Sequence, residues 1–220
     1  MKKQSSGKCN LCGGTFGKAA MARHITSCKA SKPADKAPKT ACFHVVVEGG
    51  YGNIYWLHLA VPKDAPLGRL DKFLRETWLE CCGHMSAFTI GGQRYALSPA
   101  SADFDLNEES MDVHLEDVVR VGTVFLHEYD YGSTTELKLK IRGLLEVNGK
   151  SGAVQLLARN ADPQFPCEEC GNLATQVCTQ CAYERDAFYC DKCAETHECG
   201  EEMFLPAVNS PRVGVCGYAG

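Results

Sequence analysis

The chain has 220 residues, of which 45% are hydrophobic and 23% charged, as is typical of a globular protein rather than a disordered or fibrous one. No apolar run approaches the roughly 18 residues that a membrane-spanning helix needs. The N-terminal stretch MKKQSSGKC is basic but lacks the apolar segment of a signal peptide. We therefore expect a cytoplasmic protein with no membrane partner.

The net charge of −4 conceals an asymmetry along the chain. Residues 1–41 carry nine Lys or Arg and one acid, a formal charge of +8, whereas the remainder carries 14 basic and 26 acidic residues, a formal charge of −12. A basic arm on an acidic body predicts a polyanion partner, DNA or RNA, for residues 1–41. The alternative is a lysine-rich segment that is merely solvated.

The 14 cysteines fall mostly in C-x-x-C pairs, the first of which opens the segment CNLCGGTFGKAAMARHITSC. Thiolates two residues apart are typical of zinc sites in a reducing compartment. This segment resembles a C2H2 zinc finger whose last histidine is replaced by cysteine. The resemblance implies a finger over residues 1–28 with a helix from about Lys18, a small core of Phe16 and Met21, and four zinc ligands: Cys9, Cys12, His24 and Cys28.

A finger that reads DNA would place its base-contacting positions at Gly17, Ala20 and Arg23, and only Arg23 could bond a guanine with two donors. One finger covers about three base pairs. Sequence-specific reading by one finger is therefore not expected, which leaves nonspecific contacts with phosphates or a contact with a protein; for nucleic acid, the predicted contacts are Lys18, Arg23 and Lys29. Residues 29–41 are rich in Lys, Ala and Pro and are predicted to be a linker.

Residues 42–160 carry the main apolar pattern. Strand-like runs flank one stretch of helical periodicity, APLGRLDKFLRETWLECC, and the late run ELKLKIR alternates apolar with charged residues. The pattern predicts an α+β fold, with an antiparallel sheet, one principal helix and two small zinc-bound modules at its flanks. Cys81 ends the apolar helical stripe and is expected in the core, whereas the role of His84 is open between a core hydrogen bond and a ligand.

Three segments of this region, VPKDAPLGRLDKFLRETW, HMSAFTIGGQRY and VGTVFLHEYDYGSTTEL, resemble the plasmid pRiA4b ORF-3-like family. The resemblance covers about residues 42–160. Ser133 and Thr135 replace the Asp and Trp that the family usually has, so no family site at these positions is carried over. Some relatives are labelled as passengers of insertion elements or as resolvase-like; the resemblance implies a mobile-element context, and no recombinase activity is carried over.

Residues 161–220 contain the spacing C-x2-C-x7-C-x2-C-x8-C-x2-C-x3-H-x-C. Interleaved pairing predicts a cross-brace with two zinc ions, one held by Cys167, Cys170, Cys190 and Cys193 and the other by Cys178, Cys181, His197 and Cys199. Cys216 in the tail competes with Cys199 for the last position, and we favour Cys199. The module resembles B-box, MYND and HIT-type fingers, which implies a protein partner.

Four protein ligands, mostly thiolates, close the coordination sphere, whereas a catalytic zinc keeps a position open for water. We therefore predict three structural Zn²⁺ ions, no catalytic residue and a zinc-containing binding protein. One alternative is an enzyme of unknown reaction with a site around His84, Glu128 and Asp130. A second is a ligase-like adaptor in a protein-modifier pathway, which would need an exposed apolar patch on the cross-brace.

Overall fold

The structure is a computed structural model that describes residues 5–28, 39–50, 54–97, 107–148 and 152–220. Ten of its strands form one sheet: β1 Ser6–Cys9, β2 Thr15–Gly17, β3 Lys39–Gly49, β4 Tyr55–Pro62, β5 Ser86–Ile90, β6 Gln93–Ala96, β7 Glu108–Ser110, β8 Val124–Tyr129, β9 Thr135–Asn148 and β10 Gln155–Asn160. Their order is β2-β1-β10-β4-β3-β9-β8-β5-β6-β7. Neighbouring strands are antiparallel except for β6 and β7, which are parallel.

A second, three-stranded sheet lies in the C-terminal part, in the order β12-β11-β13, with β11 Gln176–Cys178, β12 Phe188–Tyr189 and β13 Phe204–Pro206. The helices are α1 Lys18–Ser27, α2 Leu67–Leu74, α3 Leu115–Val118 and α4 Asp191–Ala194. A five-residue π-helix, Arg75–Leu79, continues α2, and single 3₁₀ turns occur at Cys181–Tyr183 and Glu201–Met203. Within the described ranges, no helix has both the length and the apolar character needed to cross a bilayer.

The predicted fold class is wrong. The chain forms a sheet-dominated fold around a mixed ten-stranded sheet, with only 19% of residues helical, rather than an α+β fold with one principal helix on an antiparallel sheet. Two additions explain the difference. The hairpin β1–β2 of the predicted finger pairs with β10 and extends the sheet, and the acidic segment before Met111 supplies the parallel strand β7.

The main core lies on one face of the sheet, beneath α2. Alternate side chains of β3 and β4, such as Val45 and Leu57, point to this face and pack with Leu70 and Trp78 of the helical segment. The alternation in β9 predicted from the sequence is present, because its apolar residues are buried and Lys138 and its charged neighbours are exposed.

The opposite face carries a second apolar cluster that joins the sheet to the finger segment. Met21 and Ile25 of α1 are fully buried there against Trp56 and Ala60 of β4. The expected small core of Phe16 and Met21 is therefore part of a larger one. Phe16 is half-buried and stacks on the ring of His24, with 4.1 Å between the ring centroids. Helix α1 covers only part of this face, and the remainder is bounded by the charged side chains of β9.

Candidate metal centres and basic groove

The first predicted ligand set converges at the end of the hairpin β1–β2. Cys9 and Cys12 lie on a turn closed by backbone bonds from Cys9 N to Gly14 O and from Gly13 N to Cys9 O. His24 and Cys28 come from the end of α1, one helical turn apart. The four ligand atoms lie within 4.8 Å of one another, and Cys12 Sγ is 3.2 Å from His24 Nε2.

The cross-brace ligands converge in the interleaved pairing predicted from the sequence. One group joins Cys167, Cys170, Cys190 and Cys193, and the other joins Cys178, Cys181, His197 and Cys199. The Sγ atoms of Cys170 and Cys190 are 3.6 Å apart, and Cys181 Sγ lies 3.7 Å from Cys199 Sγ and 3.4 Å from His197 Nε2. Cys199, not Cys216, completes this second group.

These distances fit a tetrahedral ion. A metal–sulfur bond of about 2.3 Å places two sulfur ligands about 3.8 Å apart, close to the separations in both cross-brace groups. In the first group, the surroundings of Cys167 favour its thiolate form. Burial raises the pKa of Cys167, but backbone N–H donors, first that of Cys190, outweigh it and lower the pKa to about 6. The first group could therefore hold a metal ion through four sulfur atoms, and the second through three sulfur atoms and one imidazole nitrogen.

A fourth group of the same kind unites Cys81, Cys82, His84 and Cys216. Its members come from the loop after the π-helix and from the C-terminal tail. Sequence reasoning missed this site, because it placed Cys81 in the core and treated Cys216 only as a competitor of Cys199. The available signal was the CCGH motif, which presents two thiolates and one imidazole within four residues.

The three residues of the proposed enzymatic alternative do not form one site. His84 Nε2 lies 3.5 Å from Asp130 Oδ2. The Asp130 carboxylate also accepts a hydrogen bond of 2.7 Å from the buried Arg212. The Glu128 carboxylate instead pairs with Arg94 at 2.5 Å. His84 is therefore part of a cysteine cluster, and Asp130 supports an arginine next to it.

A groove of about 400 Å³ opens between α1 and the sheet. Five basic side chains line it, namely Lys18 and Arg23 of α1 and Lys138, Lys140 and Arg142 of β9, with Glu48 as the one acidic residue. Two of the three predicted nucleic-acid contacts, Lys18 and Arg23, thus lie in the groove, while Lys29 lies outside the described residues. The three basic residues of β9 were not predicted as contacts.

Only one of the five basic groups is neutralised by a described carboxylate. Lys18 Nζ lies 3.1 Å from Glu48 Oε1, and the other four form no salt bridge with any acid in the described ranges. The lining therefore has a formal charge of +4, on a chain whose net charge is negative. Its remaining members are small or aliphatic, apart from one histidine: Ala19, Ala22, Val46, Val124 and His58.

His58 forms a buried pair with His44 beneath the groove, with 2.9 Å between His44 Nε2 and His58 Nδ1. Burial, and then the charge of Arg142, lowers the pKa of His44 to about 4. Burial, followed by the charges of His44 and Arg142, lowers the pKa of His58 to about 3. Both rings are therefore neutral near pH 7. His58 Nε2 has no hydrogen-bond partner among the described residues.

One comparison with known proteins identifies a family. The family model described as plasmid pRiA4b ORF-3-like protein matches residues 41–188. The crystal structure of a protein of unknown function from Methanosarcina mazei Go1 is 18% identical, and the alignment covers 60% of this chain and 75% of that one with a TM-score of 0.45. No curated protein matches the chain significantly.

Proposed function

The chain belongs to the plasmid pRiA4b ORF-3-like protein family, whose function is not established, and we propose from its own geometry that it is a zinc-containing protein that binds nucleic acid nonspecifically. The contact is the basic groove between α1 and β9. The observation that carries the proposal is the unpaired positive charge of this concave surface on an acidic protein.

Phosphate is the ligand that best matches the groove. Lys138, Lys140 and Arg142 project from alternate positions of one strand, so their Cα atoms repeat about every 6.8 Å. Such a row can contact successive phosphates of an extended strand, and each phosphate contact releases counterions. A small isolated anion would use only one or two of these charges.

The groove favours a single strand over a duplex. A finger that reads duplex DNA inserts its helix into a major groove about 12 Å wide. Here Met21 and Ile25 attach α1 to the sheet, so the helix is not free to insert into a duplex in that way. Lys18 and Arg23 on its accessible side face into the groove of the protein. The described lining has no exposed aromatic side chain on which bases could stack, since its one ring, that of His58, is fully buried. Contacts are therefore with the backbone, without preference for sequence.

Zinc supports this surface without taking part in chemistry. Three groups with the ligands predicted from the sequence have four protein ligands each, and cysteine is the majority in every one. Soft thiolates select zinc over magnesium or calcium, and a closed coordination sphere leaves no position for substrate. In the finger, the ion holds the hairpin against α1 and so fixes one wall of the groove. The protein partner of residues 161–220 and the mobile-element context stay predictions.

The test is a binding titration of the zinc-loaded full chain with a fluorescent single-stranded oligonucleotide at several salt concentrations. Lys140→Glu combined with Arg142→Glu changes two exposed groove residues, and we expect at least a tenfold loss of affinity at low salt. We also expect the slope of log affinity against log salt to fall by about 0.7 for each lost phosphate contact.

The matched control is Lys72→Glu combined with Lys192→Glu. Lys72 lies on α2, on the other face of the sheet, and Lys192 lies on α4 in the cross-brace. Both double variants change the net charge equally. Because the control leaves the groove intact, it should keep most of the affinity. Equal losses in the two variants would show that only net charge matters, and absence of binding by the native chain would refute the proposal.

A further inference from the structure

The loop after the π-helix and the C-terminal tail meet at the fourth cysteine–histidine group. Cys82 Sγ lies 3.0 Å from His84 Nε2, 3.5 Å from Cys81 Sγ and 3.9 Å from Cys216 Sγ. His84 Nε2 lies 3.3 Å from Cys216 Sγ. These separations resemble those of the three groups with the predicted ligands, in which sulfur–sulfur distances are 3.6 and 3.7 Å and sulfur–nitrogen distances 3.2 and 3.4 Å.

From this geometry we propose that Cys81, Cys82, His84 and Cys216 form a fourth zinc site, which clips the C-terminal tail to the main sheet. Three thiolates and one imidazole are a ligand set that selects zinc over hard cations. The site is separate from the groove, so the proposal of a fourth zinc site does not depend on whether the groove binds nucleic acid.

Surrounding side chains hold the ligands in place, as is usual around metal sites. The Tyr129 hydroxyl accepts hydrogen bonds from the backbone N–H groups of Cys81 (3.4 Å) and His84 (3.3 Å), and it donates one to Glu80 (3.0 Å). Glu80 also accepts a bond of 2.6 Å from the backbone N–H of Gly83, whose φ of 79° allows the turn between Cys82 and His84. The cysteines and the histidine are thus presented by one braced loop.

The charge of the site is balanced by a buried arginine. Three thiolates around a divalent ion leave one negative charge. Arg212 is fully buried and donates to Cys81 Sγ at 3.5 Å, while its guanidinium also pairs with Asp130 and donates to Thr135 Oγ1 at 3.0 Å. The same arginine therefore links the tail, the proposed metal site and the end of β8.

Backbone strain marks the same place. Non-glycine residues with positive φ are uncommon and cluster at functional sites. Among the described residues there are three, and two of them lie here: Cys216, with φ of 50°, is a ligand, and Asp130, with φ of 65°, contacts both His84 and Arg212. A ligand bond would compensate the cost of holding Cys216 in this conformation.

The fourth site differs from the others in span and exposure. Its ligands lie up to 135 positions apart, so it can form only when the tail has docked, and Cys216 lies beyond the segment that matches the family model. Cys82 and Cys216 are exposed and no member is fully buried, whereas each other group contains a buried cysteine. We therefore expect this ion to be the first that a chelator removes.

Metal analysis of the purified full chain tests the proposal. We expect four zinc ions in the native chain and three in Cys82→Ser, in Cys216→Ser and in the double variant, because both residues serve one site. Cys42→Ala is the control and should keep four ions, since Cys42 is buried and is the one cysteine outside all four groups. Three ions in the native chain, an unchanged content in the single variants, or two in the double variant would overturn the site.

Tail docking is followed separately by trypsin cleavage after Arg212, which is buried in the native fold. Cys82→Ser leaves the tail sequence intact, and loss of its ion should expose Arg212 to cleavage. A variant that lacks one ion yet keeps Arg212 protected would overturn the clip. Nucleic-acid binding by the same samples reports on the groove and need not change.

Discussion

The finger segment and the cross-brace hold metal-ligand sets of the same chemistry but are supported in different ways. The finger pairs its hairpin with β10 and buries Met21 and Ile25 in an apolar cluster shared with the main sheet. The cross-brace has a small sheet of its own, and its main cluster consists largely of the ligand cysteines with a few neighbours such as Tyr189 and Ala194. A bound metal should therefore contribute less to the stability of the finger than to the stability of the cross-brace.

The largest effect expected from this difference is on the cross-brace. Cys12→Ser and Cys170→Ser each remove one exposed ligand, one from the finger and one from the cross-brace. Because a small module without its metal cannot bury enough apolar surface to fold, Cys170→Ser should abolish the cross-brace fold. In Cys12→Ser, α1 should stay docked through Met21 and Ile25.

Hydrogen exchange of peptides from β11–β12 and from α1 measures both outcomes. We expect complete loss of protection in β11–β12 of Cys170→Ser and only partial loss in α1 of Cys12→Ser. Equal loss of protection in both variants would contradict the idea that the finger is held by the main sheet and the cross-brace by metal. Retained protection with full metal content in Cys170→Ser would refute the structural role of that ion.

A smaller effect is expected with pH, on the sheet face that the finger covers. The pKa values of His44 and His58 in the folded chain are about 4 and about 3, well below the value of about 6.5 expected for the unfolded chain. Between pH 6.5 and 4 the unfolded chain therefore binds more protons, and the free energy of unfolding falls as pH falls. The decrease is at most about 1.4 kcal/mol per pH unit for each histidine.

Urea unfolding of the zinc-loaded chain between pH 7 and 5 measures this dependence. His44→Gln combined with His58→Gln removes the two titrating groups and should flatten the curve. Proton-driven loss of zinc affects both proteins alike, so it does not account for a difference between them. Identical slopes would mean that the pair does not stay neutral in the folded state.

Local features of the chain could be predicted from the sequence, and their assembly could not. The C-x-x-C pairs supplied eight of the twelve candidate ligands, and the H-x3-C and H-x-C spacings supplied the other four; all twelve converge in three groups. The members of each pair or spacing are close in the sequence and are therefore neighbours in any fold. The fourth group depends on contact between residues 82 and 216, which no local spacing encodes. The β9 wall of the groove was missed for the same reason. From the sequence, Lys140 is a solvent-facing residue of a strand, and only the structure shows that α1 lies opposite it.

The fold class was wrong because edge pairing is invisible in a single sequence. The hairpin of a finger has the same sequence pattern whether it is isolated or extends a sheet. Here it extends the sheet, with Gly7 paired to Asn160. The resemblance to the plasmid pRiA4b ORF-3-like family, predicted for about residues 42–160, was confirmed by a family-model match over residues 41–188. It rests on local sequence motifs, which do not depend on how the strands assemble.

Binding of nucleic acid in the groove between α1 and β9 can be observed by an NMR titration of the zinc-loaded chain with a short single-stranded oligonucleotide at low salt. We expect shifts of backbone amide signals concentrated at residues 18–23 and 138–142, which disappear as salt is raised. Shifts confined to the cross-brace, or none at all, would contradict binding in the groove.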